Sequence, residues 1–93
     1  MTAKKKPLLI EAHDVITGAR RKMYGDAANG MQGVADQWTL YLHQKYGCNG
    51  VKLTAEDACW MMSDVKKFRQ LTNPKRDNVL DAVGYLGLIE QVL

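Results

Sequence analysis

The sequence predicts an all-α fold, a compact bundle of about four helices that is expected to oligomerise. Three observations predict it. Apolar residues recur with the 3.6-residue period of a helix along nearly the whole chain. No run alternates with period two, so no sheet is expected. Turn residues at Tyr24-Gly25-Asp26, Gly47-Cys48-Asn49-Gly50 and Asn73-Pro74 divide the pattern into four segments.

The first helix is expected from about Leu8 to Met23. Leu8, Ala12, Val15, Ile16, Ala19 and Met23 form one continuous stripe along it. Gly18 either weakens this helix or lets another backbone approach. Gly25 ends it. The second helix is expected from about Ala28 to Tyr46, with Met31, Val34, Ala35, Trp38, Tyr41, Leu42 and Lys45 on its inward face and Gly47 as its stop.

The third helix has the clearest start. Thr54 followed by Asp57 reads as a capping box, with Leu53 set to staple onto Ala58, and the helix continues to about Leu71. Asn73 is expected to cap the fourth helix, with Pro74 in its first turn and Asp77 early in it. That helix runs to the C-terminus.

A chain of 93 residues buries only roughly 60–65% of its unfolded surface, so its core is thin and association would strengthen it. The organisation expected is a basic, flexible N-terminus over residues 1–7 and a single helical domain over 8–93. The composition, 46% hydrophobic and 25% charged, excludes a largely disordered chain. The net charge of +3 is unevenly spread: Lys4, Lys5, Lys6, Arg20, Arg21 and Lys22 face only Glu11 and Asp14 in the first 25 residues. Lys4–Lys6 suit a solvated terminus, and three lysines make nucleic acid the weaker choice of partner. Cys48 and Cys59 are too few for a disulfide framework or a zinc site. No stretch approaches a membrane span or a secretory signal, so no membrane partner is expected and the expected location is the cytoplasm.

On a helical wheel the third helix presents Ala58, Met61, Met62, Val65 and Phe68 as one apolar arc, with Arg69 aimed into its middle. A guanidinium there needs a carboxylate, a phosphate or water. Asp57 and Asp64 lie on one edge of the arc, Lys66 on the other, and Trp60 points away from it. An exposed Trp60 would suit contact with a second subunit. In the fourth helix Val79, Ala82, Val83, Leu86, Ile89 and Leu93 form the main apolar face, and Asp77, Asp81, Gly84 and Leu88 lie roughly opposite. Two carboxylates one turn apart suit either a divalent cation such as Mg2+, shared with phosphate oxygens, or helix capping plus a salt bridge from Asp81 to Arg69 or Arg21. Arg20, Arg21, Lys22 and Tyr24 cluster where the first helix ends, and would form a phosphate site only by converging with Lys66 or Arg69. His13 and His43 have no ligand partner near them in sequence. The chain contains no catalytic triad order, no glycine-rich phosphate loop and no zinc spacing.

The ordered set Arg21-x-x-Tyr24-Gly25, Trp38 within Ala35-Asp36-Gln37-Trp38-Thr39-Leu40-Tyr41-Leu42, Glu56-Asp57-x-x-x-Met61-Met62, Lys66-x-x-Arg69 and Asp77-x-x-x-Asp81-Ala82-x-Gly84-Tyr85 resembles an uncharacterised family found largely in bacteriophage and prophage proteins. The resemblance spans about residues 8–93. That family is in turn distantly similar to the all-α nucleotide pyrophosphohydrolases of the MazG and dimeric dUTPase type. The similarity implies an associating helical bundle in which Asp57, Asp77 and Asp81 hold Mg2+ and Lys66 and Arg69 meet phosphate. The pattern departs from those enzymes. Trp60 and Met61 stand where the first acidic motif would carry a further acid, and the second motif is Asp77-x-x-x-Asp81 rather than E-x-x-D.

Three functions follow as expectations. The first is a module that binds a phosphate-bearing nucleotide or nucleotide signal through Arg21, Tyr24, Lys66 and Arg69, which in a phage would suit sequestering a host defence messenger. The second is a Mg2+-dependent pyrophosphohydrolase using Asp57, Asp77 and Asp81. The third is a protein-interaction module whose Trp60 face meets a host protein.

Overall fold

The computed structural model describes residues 6–18 and 27–93. Its four helices are α1 (Leu8–Thr17), α2 (Ala27–Tyr46), α3 (Ala55–Thr72) and α4 (Arg76–Val92), and no strand occurs among the described residues. The all-α expectation is thus borne out. The expected run of the first helix to Met23 is corrected: α1 ends at Thr17, and Gly18 caps it, its amide donating to the Asp14 carbonyl at 2.8 Å. Residues 19–23 and the expected break at Tyr24-Gly25-Asp26 fall outside the described residues.

Local chemistry sets the boundaries. Gly47 follows α2 at φ +67°, a left-handed conformation that penalises any residue with a Cβ. The capping box of α3 is complete: Thr54 Oγ1 accepts from the Asp57 amide at 3.2 Å, and the Thr54 amide donates to Asp57 Oδ2 at 2.8 Å. The expected Asn73 cap of α4 is corrected. Asn73 instead closes α3, its amide donating to the Arg69 carbonyl at 2.7 Å, and Lys75 is the N-cap residue of α4. The connection between them is tied by Gln70, whose Oε1 accepts from the Lys75 amide at 3.0 Å.

The fourth helix packs against all three others, with its most extensive contact on α3. That central position follows from demands on two sides of one helix. The expected inner face of α4 is rotated, however. Leu80 and Gly84 are its buried residues, whereas Val79, Leu86 and Leu93 of the predicted main face are exposed. The buried side takes in part of each face: Asp81, Gly84 and Leu88 of the secondary face turn toward α1 and α3, Asp77 is exposed, and Ala82, Val83 and Ile89 of the main face are half-buried.

A larger correction concerns α3. Its buried residues are Ala55, Ala58, Cys59 and Ser63. Arg69 is exposed rather than aimed into the core, and Met61, Val65 and Phe68 of the predicted apolar arc are exposed with it. Small side chains let α3 lie close to its neighbours, and large ones on that face would hold the backbones apart. In α2 only Ala35 of the expected inward face is fully buried, Trp38 and Leu42 are half-buried, and Tyr41 and Lys45 are exposed.

Two polar side chains of α2 fasten the approach to α3. Thr39 Oγ1 accepts from the Leu53 amide at 2.9 Å, and Gln32 Oε1 accepts from the Ala55 amide at 3.1 Å. At the other end, Arg76 holds α1: its guanidinium meets Glu11 Oε1 at 2.9 Å and the Lys6 carbonyl at 3.0 Å. Among the described residues, no helix is long and apolar enough to cross a membrane.

Candidate functional site

Where α1, α3 and α4 meet, a partly open cavity of about 220 Å3 is left. Val15 and Ile16 wall it from α1, Leu80, Gly84 and Leu88 from α4. Its polar groups are Lys66 of α3 together with Asp81 and Tyr85 of α4. Gly84 keeps the α4 wall low: a Cβ there would stand 3.8 Å from Ile16 Cγ2, in ordinary contact distance. One turn on, a Cβ on Gly87 would come within 3.0 Å of Ile16 Cδ1, so α1 rests directly on α4.

Lys66 occupies the middle of the inward face of α3, eleven residues beyond Ala55 and seven beyond Cys59. Its ammonium lies 3.2 Å from Asp81 Oδ2, with side chains 15% and 35% exposed respectively. A lysine so far withdrawn from water requires an anion, and Asp81 supplies it. The partner expected for Asp81, in the capping reading, was Arg69 or Arg21; among the described residues its ion-pair partner is Lys66, Arg69 is exposed, and Arg21 lies outside the described residues.

The remaining candidates are placed as follows. Asp57 sits at the N-terminus of α3, where Thr54 occupies it through both backbone and hydroxyl. Asp77 is exposed in the first turn of α4, one turn before Asp81. Among the described residues, no three Asp, Glu, His or Cys side chains gather as a metal site. Arg69, one turn beyond Lys66 on α3, is exposed and forms no ion pair among the described residues. Arg21 and Tyr24 fall outside the described residues. His43 Nε2 is 2.7 Å from the Val51 carbonyl and secures the loop before α3, while His13 is exposed.

The sequence pattern groups Asp81, Gly84 and Leu88, and the structure adds Lys66 from α3 and the walls Val15, Ile16 and Leu80. Tyr85, quoted only within the family pattern, follows Asp81 by four residues and so shares its side of the helix; that spacing is the signal that locates it.

Cavity walls that are mainly aliphatic, with one cation, one carboxylate and one phenol converging, are the makings of a small-ligand site. An anionic group could replace Asp81 on Lys66, and a cation could bridge Asp81 to such a group.

Comparison with known proteins fits the phage resemblance. The family model described as a domain of unknown function, DUF6378, matches residues 7–93. The Gene 55 protein of Mycobacterium phage L5 is 34% identical over 86 residues, covering 91% of this chain and 51% of that protein. The chain therefore spans about half the length of the curated relative it matches. No solved structure matches. By the extent of the family match, which covers both the Lys66 and Asp81 helices, the chain belongs to the DUF6378 domain family.

Proposed function

We propose that this chain is a binding module for a phosphate-bearing nucleotide or nucleotide signal, seated at the cavity between α1, α3 and α4, and that it works as an oligomer. The observation that carries the reading is Lys66, withdrawn from water in that cavity with one displaceable carboxylate. A phosphate oxygen is the stronger multidentate acceptor for such an ammonium. At about 220 Å3 the cavity takes the phosphate end of a nucleotide and leaves the remainder outside. In a phage, a module of this kind would sequester a host defence messenger.

A calorimetric and thermal-shift series with inorganic phosphate and nucleoside mono-, di- and triphosphates, with and without Mg2+, tests this. Phosphates should raise the melting temperature and Lys66→Ala should remove the effect. Gly84→Ala provides a second variant. It adds a helix-favouring methyl worth about 1 kcal/mol of propensity while narrowing the cavity, so it should keep or raise stability and weaken binding. No response to any phosphate, or an undiminished response in both variants, overturns the proposal.

A second reading, a Mg2+-dependent nucleotide pyrophosphohydrolase, is favoured by the Asp81 carboxylate in the same cavity and by Asp77 one turn away. One or two carboxylates plus phosphate oxygens suffice to hold Mg2+, which would activate a water against the bound triphosphate. Asp81→Asn separates the two. Under simple competition with Asp81, phosphate binds more tightly in the variant. Under metal bridging, it binds less tightly, and Mg2+-dependent pyrophosphate release disappears.

A further inference from the structure

Helix α3 is amphipathic in the reverse sense. Its inward face carries Ala55, Ala58, Cys59, Ser63 and Lys66, whereas Trp60, Met61, Val65, Phe68 and Leu71 line its outer side. Phe68 is 66% exposed and Leu71 75% exposed. These five share one broad side of α3 over three turns and surround the exposed Asp64, so they form one largely apolar face rather than scattered surface residues.

The molecule as a whole is under-buried. Its surface is 6824 Å2, where a compact monomer of its mass would show about 5,400 Å2. Its radius of gyration is 15.2 Å, against about 12 Å for a compact chain of this length. Among the described residues, Cys59 is the largest fully buried side chain. The surplus surface, roughly 1,400 Å2, exceeds the ~800 Å2 that each partner of a standard interface gives up.

Charge along α3 indicates what covers this face. Its first ten residues, 55–64, hold Glu56, Asp57 and Asp64 and no cation, and its last eight, 65–72, hold Lys66, Lys67 and Arg69 and no acid. Such a helix is complementary to an antiparallel copy of itself and repels a parallel one. Antiparallel alignment also sets each helix N-terminus beside the C-terminus of its mate. Asp64 and Lys67 are both exposed, and neither forms an ion pair among the described residues.

We propose that the outer face of α3 is a two-fold symmetric interface with a second copy of this chain, the two α3 helices packing antiparallel. A two-fold axis through the middle of this face sets Trp60 against the partner's Leu71 and Asp64 beside the partner's Lys67. The contact is isologous and closes on itself. Because Lys66 points to the other side of α3, the cavity at Asp81 stays open in the pair. This surface rests on the oligomeric reading above, and it names the contact.

Sedimentation velocity and light scattering on the full chain test it. The wild type should have twice the 10.4 kDa mass of the chain. Phe68→Asp should be monomeric with unchanged helical circular dichroism, as expected for an exposed site. Lys67→Asp should weaken the dimer and Asp64→Lys should weaken it too, while the double variant, which exchanges the charges, should restore it. A monomeric wild type overturns both the oligomeric reading and this surface. A dimer or larger assembly that survives Phe68→Asp overturns the surface alone. A double variant no better than the singles overturns the antiparallel arrangement. A wild-type monomer that recruits a different protein through Trp60 counts against the second copy as occupant.

Discussion

Cys59 illustrates how much a single residue can owe to its packing. It is buried on the inward face of α3, whereas Cys48 is only partly covered in the loop after α2. Burial pushes the Cys59 thiol above its ordinary pKa, and the nearby Glu56 carboxylate adds to the rise. Both effects disfavour the thiolate, so alkylation of the native protein should modify Cys48 first and reach Cys59 only on unfolding, as peptide mass mapping would show. The same shift has a consequence for stability. The folded protein holds this proton more tightly than the unfolded chain, so the Cys59 contribution is fully present below the ordinary thiol pKa. It declines as pH rises from that value through the raised one. Denaturation midpoints across alkaline pH should fall less steeply in Cys59→Ala than in the wild type. An equal slope in the two proteins would remove Cys59 from the account.

At the scale of the element, the third helix owes its start to local chemistry and its orientation to packing. The box formed by Thr54 and Asp57 satisfies backbone donors that would otherwise be orphaned. Thr54→Ala should cost about 1 kcal/mol, measured as a lowered denaturant midpoint with an unchanged slope. Asp57, which family resemblance marks as a metal ligand, should behave in this helix start as a capping residue whose loss lowers stability. The start, the acid and the partner of this box were legible because a cap is a relation among neighbours in sequence. The inward face of α3 was not. Periodicity reports where apolar residues recur around the axis, and on that measure Met61, Val65 and Phe68 outweigh Ala55, Ala58 and Cys59. Which side turns inward depends on how near the α4 backbone comes, a relation between elements. Lys66 was read on the edge of the arc and Arg69 in its centre for the same reason. A rotation of α3 exchanges their environments.

For the whole molecule, the proposed pairing would tie stability to association, since the chain exposes a surplus of surface and large side chains. Dimerisation stabilises by mass action, so the melting temperature of the wild type should rise with protein concentration, and that of Phe68→Asp should not. Scanning calorimetry over a dilution series measures both. The elongated outline, with extents of 54 × 31 × 19 Å, is that of a slab about two helices thick, in which one broad face of α3 remains available. The proposed nucleotide site and the proposed self-contact then lie on opposite sides of this helix. Loss of pairing should leave phosphate binding at Lys66 in place, and Lys66→Ala should leave the mass unchanged.

By itself the sequence determined the all-helical class, the positions of the loops around Gly47 and Asn73, the cap at Thr54 and the grouping of Asp81, Gly84 and Leu88 on one side of the last helix. Each depends on residues close together in the chain, where backbone hydrogen bonding and helical period act directly. Tertiary structure decided that this side of α4 faces inward, that Lys66 is the residue that meets Asp81, and that Arg69 stays in solvent. Helix α3 carries two faces able to make contacts, one small and partly polar, one large and apolar. Close approach of α4 selects the small face, because backbones can come together only where side chains leave room.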